Sequence, residues 1–97
     1  VVIANANTTP AVQPGLRYVT LDGTAGAATL TLPATPGFTG QTFEVICIDD
    51  TNTCTIDGDG NTINGSATVV LTANDSCTVM EDAGGDWILM NPSIGVS

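Results

Sequence analysis

Residues 42–57 read TFEVICIDDTNTCTID, and the fold class turns on this stretch. Phe43, Val45 and Cys47 alternate with Thr42, Glu44 and Ile46, a period of two that belongs to a strand with one face turned inward. A helix would need apolar residues spaced three and four apart, and no segment of the chain shows that period. Ile46 and Ile48 add apolar bulk on the second parity, so the strand is expected to be central and buried on both faces at its far end. Asp49 to Asn52 is turn chemistry. Thr53 to Asp57 is then expected to pair back as a hairpin with Cys54 and Ile56 inward.

Working outward, Gly58 to Asn61 turns again, Thr62-Ile63 forms a short rung, and Asn64-Gly65 is a tight-turn signal. Ala67 to Thr72, Cys77 to Glu81 and Trp87 to Met90 read as strands, separated by the turn segments 73–76 and 82–85. Upstream, Arg17 to Leu21 alternates and stops at Asp22-Gly23, while Ala28 to Leu32 ends at Pro33 and the loop PATPGFTGQ (33–41). The expected class is all-β, an antiparallel β-sandwich or jelly-roll-like barrel of seven to eight short strands at spacings of about ten residues. The sequence shows no internal repeat.

Residues 1–16 stand apart because they carry no charge and contain Pro10 and Pro14, which forbid a helix of any length. The segment is expected to be an extended N-terminal arm (1–16), followed by the β-domain (17–90) and a short tail (91–97) in which Ile94 and Val96 could add an edge. Two readings of the arm are open: a frayed terminus or first edge strand, or a docking arm that packs on a neighbouring subunit. Under the second, Val1, Val2, Ile3, Ala4 and Val12 are the candidate partner-binding residues. The opening VVIANANTTP has no basic start followed by a long apolar run. Val1 is compatible with a removed initiator Met, so a nearly complete small protein is expected, with a processed fragment as the alternative.

Composition limits the chemistry. Ten Asp and Glu stand against one base, Arg17, with no Lys and no His, for a net charge of -9 over 97 residues. Only 11% of residues are charged while 42% are apolar, so the chain is acidic through missing bases and is not a disordered acidic tail. Nucleic acid is not an expected partner, since neutralising phosphates takes several cations. Anionic membranes are not expected either, and no apolar run is long enough to span one. Without His or Lys there is no Ser-His or Cys-His pair, no imidazole metal ligand and no Schiff base, so the expectation is a non-enzyme with no cofactor and no metal. Four aromatics, Tyr18, Phe38, Phe43 and Trp87, give little bulk for a core, so oligomerisation or docking is expected to supplement it.

The remaining constellations have plainer readings. Cys47, Cys54 and Cys77 share strand faces with core residues and read as buried thiols, with a Cys47–Cys54 bridge as the alternative. Asp57-Gly58-Asp59-Gly60-Asn61 resembles the opening of a calcium loop, but Thr62 stands where Gly is needed and Thr68 where a bidentate Glu is needed. It reads as a Gly-rich turn with Asx bonding. Asp49-Asp50 and Glu81-Asp82 read as solvated turn charges rather than a catalytic pair. Trp87 reads as the anchor of the last strand.

Three segments, TLTLPATPGFTGQTFEV (29–45), TIDGDGNTINGSATVVL (55–71) and EDAGGDWILM (81–90), together resemble a β-rich domain of tailed-bacteriophage virion proteins. The resemblance spans residues 29–90, about two-thirds of the chain. The three Cys and the missing Lys depart from that pattern. It implies a capsid decoration (cement) protein that binds the major capsid protein on the capsid exterior and stabilises the shell, as a homotrimer made in the host cytoplasm. The docking arm would then pack on a neighbouring subunit or a capsid-protein edge. The alternative it implies is a tail-fibre or spike tip that binds a host-surface glycan. It supplies no catalytic residues.

Overall fold

The alternation seen in the sequence gives the body strands inward rows that meet in one core. The computed structural model describes residues 2–33 and 39–93. Among these there is no helix, and the strands are β1 (Val2–Ala4), β2 (Asn7–Thr8), β3 (Leu16–Asp22), β4 (Ala28–Thr31), β5 (Thr42–Asp49), β6 (Cys54–Asp57), β7 (Thr68–Leu71), β8 (Ser76–Glu81) and β9 (Trp87–Ser93). They form a five-stranded sheet in the order β1-β3-β5-β8-β9 and a four-stranded sheet in the order β2-β4-β6-β7. The calls on Val1, on most of the 33–41 loop including Phe38, and on Ile94 and Val96 lie outside the described residues.

The all-β class stands, but the antiparallel and barrel expectations are corrected. The first six strands alternate between the sheets, and each later one lies parallel to the strand two before it. Val2, Val19 and Val45 stack in one file and Asn7, Thr29 and Thr55 in another, as in successive coils of a parallel solenoid. A parallel pair needs a crossover, and here each crossover is a strand of the opposite sheet. Antiparallel pairing enters only with β7, β8 and β9. Neither sheet closes on itself, so there is no barrel.

The hairpin expected at residues 49–53 is also corrected. β5 pairs with β3 and β8, whereas β6 belongs to the other sheet between β4 and β7. The turn after Asp49 therefore rounds a corner between sheets. Gly23 sits against this corner, accepting from Asn52 N at 2.9 Å and donating to Asp49 O at 2.8 Å. β5 is not buried on both faces: Phe43, Val45 and Cys47 are buried while Ile46 and Ile48 are exposed.

The core draws on both sheets. Val19, Leu21, Phe43, Val45, Cys47, Cys77, Val79 and Trp87 come from the larger sheet, and Ala28, Leu30, Cys54, Ile56 and Leu71 from the smaller. Trp87 is buried against Phe43 with ring centroids 6.0 Å apart, which is how it anchors β9. The Asn64-Gly65 turn forms as the sequence indicates, with φ of 48° and 84° and Ile63 bridged to Ser66. At Gly58 a Cβ would collide with the carbonyl of Asn61, so only glycine fits the Asp57–Asn61 turn there.

Candidate interaction interface

The candidate arm residues separate by environment. β1 lies beside β3 and β2 beside β4, so residues 2–8 run along one edge of each sheet in turn. Ile3 is 64% exposed and Val12 is 38% exposed, whereas the Ala4 side chain is wholly buried in this chain's own core. Ala4 can therefore offer a partner its backbone and not its methyl group. Val2 contributes its backbone to β1, and Val1 lies outside the described residues.

The two edges of the larger sheet are unlike. At the β9 edge the 62–64 segment closes over the strand: Trp87 N donates to Thr62 O at 2.8 Å and Asn64 N to Trp87 O at 3.0 Å. The Asn64 amide then imitates one more rung, accepting from Leu89 N at 2.9 Å through Oδ1. Pro92 also lies in β9, a residue that blunts pairing. β1 has no such cover among the described residues, and neither β1 nor β2 carries a charge or a proline. Both uncharged edges fall at the same end of the strand order.

Arg17 holds the second half of the arm. Its guanidinium donates to Ala11 O at 2.6 Å, Gln13 O at 3.4 Å and Gln41 Oε1 at 3.0 Å, and lies 4.2 Å from the centre of the Phe43 ring. Gln41 passes the contact inward, its Nε2 donating to Glu81 Oε1 at 2.6 Å. Burial lowers the Arg17 pKa from its ordinary value. Sequence reasoning missed this relay and placed Glu81 among solvated turn charges; the structure corrects that, with Glu81 and Gln41 both buried. Parity could have found it, because Arg17 shares a face with Val19 and Leu21, and Glu81 shares one with Cys77 and Val79.

The other constellations are turns and core. Asp57 Oδ1 accepts from Asp59 N at 2.8 Å, the expected Asx bond, and Asp82 Oδ1 caps Gly84 N at 2.7 Å. Among the described residues no group of three or more His, Cys, Asp or Glu is placed to hold a metal ion, and no helix is long and apolar enough to cross a membrane. The three cysteines are buried free thiols. Burial, then the neighbouring Cys54, pushes the Cys47 thiol up to about 12, and burial pushes Cys77 up to about 11. Hydrogen bonds from Thr51 hold the Asp49 carboxyl below its ordinary value.

No protein-family model matches the chain, and no curated protein or solved structure matches it.

Proposed function

We propose that this chain is a bacteriophage virion structural protein, a decoration protein that binds the exterior of a capsid and stabilises it. In this reading the two sheets form a β-sandwich body that assembles as a homotrimer, and the major capsid protein is the partner. The observation that carries it is the pair of uncharged edges, β1 and β2, at one end of both sheets, while the other edge of the larger sheet is covered by residues 62–64. Unpaired edge N–H and C=O groups accept an added strand, and β1 lacks the charges and prolines that usually prevent it. The threonine-rich body and the lack of cations agree with a role in assembly rather than catalysis.

The test is retention on purified capsids of the source particle. Ile3→Lys places a charge on the edge while leaving buried Ala4 in place. Under this reading the folded variant is washed off capsids that retain the parent protein. Equal retention contradicts the edge as the grip.

A tail-fibre or spike tip is the second reading, favoured by the coil-like parallel winding of the first six strands. It predicts saturable binding to host-cell envelopes, released by a soluble surface glycan, and no binding to capsids.

A further inference from the structure

The outer faces of the two sheets differ in chemistry. The smaller sheet shows Thr29, Thr31, Thr55, Asp57 and Thr68 to the outside, with Val70 as its one exposed large hydrophobic residue among those described. The larger sheet instead exposes Ile3, Leu16, Tyr18, Ile46, Ile48 and Ile88, which are six of the eight large hydrophobic residues found exposed. Scattered apolar residues on a surface need no explanation, but a contiguous set on one face marks a contact surface. Register gathers this set on one face: Ile3, Thr20 and Ile46 lie side by side across β1, β3 and β5, and Tyr18 lies beside Glu44.

A shallow cleft of about 360 Å³ opens on this face, lined by Tyr18, Val19, Thr20, Glu44, Val45, Ile46 and Ser76. Glu44 is the acid in its wall. It is exposed, and no hydrogen bond or ion pair engages its carboxylate among the described residues. A carboxylate set among apolar side chains matches a ligand that is itself apolar along its length and cationic at its tip. Lysine and arginine side chains have that form, with methylenes that pack and a head that pairs.

Charge identifies the source. A second copy of this chain has one cation to offer, Arg17, and that guanidinium is already engaged by Ala11, Gln13, Gln41 and the Phe43 ring. Two copies meeting here would also oppose Glu44 to Glu44 on bodies that each carry -9. An anionic lipid surface is disfavoured on the same ground. We propose that the outer face of the five-stranded sheet docks a protein that projects a lysine or arginine from an apolar surface, its methylenes in the Tyr18–Ile46 cleft and its cation on Glu44. The cleft lies over β3 and β5, one strand in from the β1 edge, and its test reads the isolated chain, so the inference holds or fails independently of the virion reading.

The test is an amide-resolved NMR titration of the whole chain with acetyl-Leu-Lys-Leu-Gly-amide, with acetyl-Leu-Glu-Leu-Gly-amide as the comparison. The expected result is saturable shifts centred on Tyr18, Thr20, Glu44 and Ile46, at least fivefold weaker for the glutamate peptide and for Glu44→Gln. Asp59→Asn, which alters an exposed turn acid elsewhere, should leave the titration unchanged. Shifts centred on the 57–61 or 82–86 turns, equal binding by Glu44→Gln, or no saturable binding would each overturn the proposal. So would sedimentation showing the chain alone to be a dimer that Ile46→Asp dissociates, because a second copy would then be the occupant.

Discussion

At the scale of single residues, burial dominates the chemistry of the few reactive groups. Cys47, Cys54 and Cys77 are wholly or almost wholly buried, and a thiol kept from water stays protonated and inert. A disulfide-exchange reagent at pH 8 should therefore leave the native protein untouched and titrate all three cysteines after unfolding. The same burial sets an alkaline limit. In the unfolded chain Cys77 loses its proton near the ordinary 9.0, while in the folded chain it keeps it to about 11. Within that window the folded state binds more protons, so stability falls as pH rises from about 9 to about 11, by roughly 3 kcal/mol for this thiol. Denaturant melts from pH 8 to pH 11 should show the decline, and Cys77→Ala should flatten part of it.

Arg17 belongs to this scale as well. Arg17→Met keeps an apolar side chain beside Phe43 but removes the cation over the ring and the donors to Ala11 O, Gln13 O and Gln41 Oε1. The expected cost is about 2–3 kcal/mol, since charge-assisted bonds are lost and the buried Gln41 loses a partner. Hydrogen exchange should show residues 9–15 loosened while β5 and β8 stay protected.

At the scale of elements, corners and turns decide which strands meet. Gly58→Ala sets a methyl group against the Asn61 carbonyl and should destabilise by about 2–4 kcal/mol, whereas Gly26→Ala, with open space at its Cβ, should stay within about 0.5 kcal/mol. Chemical denaturation of the two variants makes the comparison. Legibility also divides at this scale. The body strands and their inward faces were readable because alternation is local: Phe43, Val45, Cys47, Cys54 and Ile56 all went where parity puts them. Partner choice was not readable, because the Asp50–Thr53 corner has the same residue types whether the chain doubles back in one sheet or crosses to the other. Parallel stacking of Val2 on Val19 on Val45 leaves no local signal either, since the connections between those positions are unequal in length. The Gln41–Glu81 pair and the Arg17 clasp follow strand parity but run against the general rule that charged side chains stay in water.

At the scale of the whole molecule, the two sheets present three distinct surfaces: an open uncharged edge pair, an apolar outer face with Glu44 in it, and a threonine-rich face. Half of the ten acids lie in strands and half in turns, and the one cation is engaged within the chain, so backbone edges, apolar area and carboxylates such as Glu44 are what the body offers to other molecules. In the proposed function β1 and β2 form the grip. Hydrogen–deuterium exchange of the protein, free and bound to capsids of its source particle, tests it most directly. If β1 and β2 form the grip, the peptide covering residues 1–16 gains protection on binding while β7 at the opposite edge does not. Unchanged exchange across residues 1–16 in the bound protein would contradict it.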